Sequence, residues 1–129
     1  MATVTQQLGT RTNLGSLGTL ATGTYLNVGT ITFNTNKPLE VVLEVSATPG
    51  TVSGNKQLVV FAQESLNGTN FETGPTSGTT TTDEPNLTFI GTVPLNTNST
   101  LQRGVFRLSP AFAGTLPYAA TIIVKNDSG

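Results

Sequence analysis

The sequence predicts an all-β domain: a single β-sandwich of the jelly-roll kind, preceded by an extended N-terminal arm. Three observations predict it. Residues 39–46 repeat with a period of two, an apolar face alternating with a mostly polar one. No segment carries the 3.6-residue periodicity of a long amphipathic helix. Charged residues make up only 10% of the chain and hydrophobic ones 36%, the remainder being rich in Thr, Ser, Asn and Gly, which suit pleated surfaces and turns. At 129 residues the chain has the length of one domain with one core.

Residues 1–23 read as the arm. Leu8-Gly9-Thr10, Leu14-Gly15-Ser16 and Leu17-Gly18-Thr19 repeat a Leu-Gly-hydroxyl unit, followed by Leu20. The spacing fits neither helix nor strand, and each glycine penalises a helix by about 1 kcal/mol. Leu8, Leu14, Leu17 and Leu20 therefore need a surface to cover them, either the domain's own sheet edge or another subunit.

Residues 24–129 read as the sandwich. In the first strand, Leu26 and Val28 keep one face with Ile31 and Phe33 only if a residue is inserted near Gly29, which predicts a bulge. Leu39, Val41, Leu43 and Val45 then form an inner face against Glu40, Val42, Glu44 and Ser46. From Gln57 to Gln63 both faces are apolar, so this strand belongs in the centre of a sheet. Asn67-Gly68 marks a tight turn, and residues 73–86 form a Thr-, Gly- and Pro-rich loop of the length that is commonly functional or mobile. Leu87, Phe89 and Val93 mark a further strand. Ser99 to Leu108 follows, with Val105 and Arg107 opposite Phe106 and Leu108, and Tyr118 to Val124 closes the chain as a buried apolar run. The long connections favour Greek-key crossings over an up-and-down barrel.

Chemistry-bearing residues are scarce. The chain has no histidine and no cysteine, which excludes the Ser-His-Asp triad, thiol nucleophiles and disulfides. A carboxylate-dependent hydrolase would need two acids about 5–10 Å apart across a cleft. Glu40 and Glu44 lie about 13 Å apart along a strand, and Glu64, Glu72, Asp83 and Glu84 read as solvated charge. Asp83 and Glu84 suit calcium in type but lack an EF-hand spacing. Net charge is −1 without clustered Lys or Arg, so nucleic-acid binding is not expected. No apolar run approaches the roughly 20 residues of a membrane span, and the opening residues lack the basic and apolar regions of a secretory leader, so synthesis in a cytoplasm is expected. With no Trp, and with Phe33, Phe61, Phe89 and Phe106 read as core, only Tyr25 and Tyr118 remain to stack a sugar. No cofactor and no small-molecule substrate are expected. A surface so poor in charge has little electrostatic protection against association: either neighbours cover much of it, or Thr, Ser and Asn hydroxyls and amides alone keep it soluble.

Two segments, "FAQESLNGTNF" (Phe61 to Phe71) and "GVFRLSPAFAGTLPYAATIIVKNDSG" (Gly104 to Gly129), resemble the small jelly-roll decoration, or cement, proteins of tailed-bacteriophage capsids. The resemblance covers the C-terminal half to two thirds of the chain and describes strand-turn-strand architecture. It implies a non-enzymatic virion protein on the capsid exterior, a symmetric dimer or trimer bridging major capsid protein subunits against the pressure of packaged DNA. It brings no catalytic residue. The expected partners are the major capsid protein and other copies of the chain, with Leu8, Leu14, Leu17 and Leu20 as contact residues. The alternative is a receptor- or glycan-binding module of a phage tail or fibre, which predicts an exposed Tyr25 or Tyr118 beside acidic or amide groups.

Overall fold

A computed structural model describes residues 9–129. Leu8, one of the predicted contact leucines, lies outside the described residues. The strands are β1 (Tyr25–Thr32), β2 (Val42–Ala47), β3 (Gln57–Ser65), β4 (Ser77–Gly78), β5 (Thr88–Pro94), β6 (Gln102–Arg107) and β7 (Ala119–Asp127). Among the described residues, helical structure is confined to one 3-10 turn, Glu84–Asn86, and one short helix, α1 (Leu108–Ala111).

The strands form two antiparallel sheets, one in the order β4-β1-β7-β3-β5 and one of β2 and β6. No two neighbouring strands of the large sheet are consecutive in the chain, so its connections are crossovers and not those of a meander. The fold is an all-β sandwich, with a five-stranded and a two-stranded sheet among the described residues. The predicted bulge falls where expected, the β1–β7 register shifting between Asn27 and Gly29.

The core lies between the sheets. Leu58, Val60 and Ala62 of β3, Ala120, Ile122 and Val124 of β7, and Val93 of β5 face Val45 of β2. Leu43 and Phe106, opposite each other on the small sheet, pack against this cluster. Sheet contact is close where glycines remove a side chain: a Cβ on Gly91 would stand 2.5 Å from the Phe106 ring, and one on Gly104 would stand 2.9 Å from Val93. Phe33 and Phe112 close one end edge-to-face, their centroids 6.4 Å apart.

A second, smaller cluster lies on the outer face of the large sheet, where Tyr25, Phe61 and Ile123 meet Leu87. The predicted loop 73–86 covers this face. It is anchored by β4 pairing with β1 and by the Gln63 amide donating to the carbonyls of Glu72 and Gly74. Glu84, read as solvated, is instead half-buried: its carboxylate accepts from the Tyr25 hydroxyl and lies 2.7 Å from Lys125 Nζ. The ammonium sits 5.2 Å from the Tyr25 ring centroid.

Two apolar residues depart from their predicted faces. Leu39 is 98% exposed, because β2 begins only at Val42 and the chain before it turns toward α1. There Glu40 accepts hydrogen bonds from the amide and hydroxyl of Ser109 and from the amide of Val41. Phe89 lies on the outer face of the large sheet, exposed and stacked edge-to-face on Phe61. The shift between Val60 and Phe61 in the β3–β5 register turns it there.

Candidate functional site

The described part of the arm, from Gly9, has no regular secondary structure, and Leu14, Leu17 and Leu20 pack on their own domain. Leu14, Leu17 and Leu20 are half-buried against the core between the sheets. Leu14 lies against Gly29, where an added Cβ would meet it at 3.0 Å, and Gly15 passes so near Val28 that a Cβ would stand 2.2 Å from that carbonyl. The Asn126 amide donates to the Leu20 carbonyl at 2.6 Å. At the other end, Arg11 donates to Glu44 of β2 at 2.9 Å. The arm therefore closes the flank between β1 of one sheet and β2 of the other, where the small sheet has no further strand among the described residues. Of the two surfaces the leucines might have sought, the structure places Leu14, Leu17 and Leu20 on the first.

This placement builds a surface that sequence reasoning missed. Pairing across β2 and β6 sets Val42 opposite Arg107, Glu44 opposite Val105, and Ser46 opposite Arg103; all six side chains lie on the outward face, since Leu43 and Phe106 point in. Val42 is 51% exposed and Val105 61%. Arg11 reaches the same face from the arm, and Arg103 approaches Glu44 at 3.8 Å. Every arginine of the chain, Arg11, Arg103 and Arg107, thus borders one strip holding two exposed valines and a single carboxylate. The sequence held a partial signal in the outward parity of Val105 and Arg107; Arg11, 92 residues before Arg103, carried none.

The remaining candidates are placed as follows. Tyr25 is buried under the covering loop and offers no face to a sugar. Tyr118 is exposed along one edge in a groove that also holds Asn34 and Lys37. Glu64 and Glu72 converge on the Thr88 hydroxyl, which lies 3.5 Å and 3.1 Å from their carboxylate oxygens, and a Glu72 oxygen also accepts from the Glu64 amide. Burial, then the neighbouring Glu72 charge, raise the Glu64 pKa above the ordinary carboxylate value, against the Thr88 hydrogen bond. Among the described residues no three His, Cys, Asp or Glu side chains gather to hold a metal ion, and no helix is long and apolar enough to cross a membrane.

No protein-family model matches this chain, and neither does any curated protein or solved structure.

Proposed function

We propose that the chain is a capsid decoration protein: a non-enzymatic virion component, made in the host cytoplasm, that binds the outside of a phage shell and bridges major capsid protein subunits. The observation that carries the proposal is the outward face of β2 and β6. Exposed β-branched side chains flanked by arginines make a surface suited to burial against a protein, because guanidinium groups are weakly hydrated and pair with carboxylates in bidentate fashion. The partner that fits is a shell surface presenting carboxylates around an apolar patch.

The charge-poor remainder of the molecule supports the same reading. With 10% charged residues, the arginine-bearing face is the main concentration of positive charge, so it orients the molecule on an acidic shell. The arm's part is indirect. Leu14, Leu17 and Leu20 hold Arg11 in place over Glu44, while their own apolar surface serves the core. A single face of this size gives a modest affinity, and attachment to a shell gains from repetition when one copy spans two subunits.

The test is to incubate undecorated shells of the encoding phage with the purified chain and image them by cryo-electron microscopy. Density at regular positions between capsid subunits, with the β2–β6 face inward, is the expected result. Arg103→Glu with Arg107→Glu should abolish it while leaving the melting temperature nearly unchanged. Bare shells at saturating chain concentration would end the proposal.

A further inference from the structure

Two connections, one following β1 and one preceding β7, line a groove together with Leu66 of the turn after β3. The groove shares no residue with the outward face of β2 and β6. Its two connections are tied to each other, because the Tyr118 carbonyl accepts from the amides of Phe33 and Asn34 at 2.9 and 3.1 Å. A groove built this way is formed before any ligand arrives, which lowers the cost of binding. Leu66 is 84% exposed and Leu39 still more so, and large aliphatic side chains left in water around one groove mark a contact surface. The charge comes from Lys37, which is exposed and outside the ion pairs of the described residues; no Asp or Glu lines the groove with it. The φ of Lys37 is +45°, a left-handed conformation that glycine adopts without strain and other residues resist. Strain of this kind is characteristic of binding positions. The amides of Leu39, Leu116 and Tyr118, all lining residues, find no backbone acceptor among the described residues.

We infer that this groove docks an extended acidic segment of another protein, with aliphatic side chains against Leu39 and Leu66 and a carboxylate on Lys37. Charge complementarity selects this occupant. The same groove of a second copy would bring another lysine and no carboxylate. A lipid surface could take up the two leucines, but anionic headgroups are held by clusters of basic residues rather than by one, and acyl chains offer no acceptor to the unpaired amides. An extended peptide supplies carbonyls for the amides, side chains for the leucines and a carboxylate for the lysine at once. Docking here is independent of shell attachment, since a variant that loses either surface keeps the other.

An array of short peptides of random sequence, probed with the labelled full chain, tests it. The expected result is binding to peptides that combine Asp or Glu with Leu, Ile or Phe, weakened by added salt. With the tightest of these in fluorescence anisotropy, Leu66→Asp, a change at an exposed position, should raise the dissociation constant about 10- to 100-fold, the loss of one buried leucine. Lys37→Glu should turn the array's preference from acidic to basic peptides. Lys37→Gly should weaken acidic peptides by about 5-fold, the worth of one exposed ion pair, without lowering the melting temperature, because the relief of strain offsets the added chain entropy. No bound peptide, bound peptides without carboxylates, or binding indifferent to both Leu66→Asp and Lys37→Glu would overturn the inference. Sedimentation with phosphatidylglycerol vesicles that Leu66→Asp abolishes, in a chain that binds no peptide, would overturn it in favour of a membrane.

Discussion

Gly68 shows how narrowly a single residue is specified. Its φ of +77° belongs to the left-handed region that side chains resist, and a Cβ there would meet the Tyr118 ring at 2.5 Å. The Ser65 hydroxyl accepts from its amide, and the Asn67 side chain accepts from the amides of Thr69 and Asn70. Gly68→Ala is expected to cost about 1–2 kcal/mol, read by urea denaturation. Glu84 is bound in another way. Replacing it with Ala leaves the Tyr25 hydroxyl and a Lys125 ammonium half-buried without their acceptor, at about 1–3 kcal/mol. Nothing in the string Asp83-Glu84-Pro85 distinguishes it from solvated charge, because its partners come from strands 41 or more residues away.

Two carboxylates at this scale act oppositely with pH. Glu64 has a raised pKa, so the folded state holds its proton more tightly than the unfolded one, and stability falls as pH rises from the unfolded value through the folded one. Glu64→Gln should therefore be more stable than the parent at pH 7, the difference shrinking as pH falls toward 4. Glu40 is lowered: burial raises its pKa, but hydrogen bonds from the Ser109 hydroxyl and from the amides of Ser109 and Val41 outweigh that. Its contribution is complete above the unfolded value and lost as pH falls through the folded one. Glu40→Gln should flatten that acid limb in thermal melts across pH.

At the scale of elements, β3 and β7 were the most legible. Apolar residues on both faces demand cover on both faces, and β3 lies between β7 and β5 with the covering loop on one side and the small sheet on the other. The bulge at Gly29 was legible because alternation fails there. Leu39 and Phe89 were not, since period-two parity does not reveal where a strand begins or where a partner's register slips. The arm was legible as apolar segments in need of cover, and illegible in which surface supplied it. Its role on the domain's own flank makes a prediction: Leu17→Asp, or removal of residues 1–22, should lower the melting temperature and open the core flank to a hydrophobic dye. Leu14, Leu17 and Leu20 are half-buried, so each truncation to Ala should cost about 1–2 kcal/mol, below the value for a fully buried leucine.

At the scale of the molecule, charge is both sparse and sorted. The arginines border the outer face of the small sheet, whereas Glu64 and Glu72 share one end and Lys125 is satisfied by Glu84. This sorting depends on the pairing of β2 with β6 and on the path of the arm, neither of which is written in local sequence. What sequence could supply was the absence of imidazole and thiol groups, which turns attention from reaction chemistry to contact surfaces. The most direct measurement is the occupancy of undecorated shells by the wild-type chain and by the Arg103→Glu, Arg107→Glu variant, compared by cryo-electron microscopy. Full, ordered occupancy by the wild type and none by the equally stable variant is the predicted result; equal occupancy by both, or by neither, would contradict it.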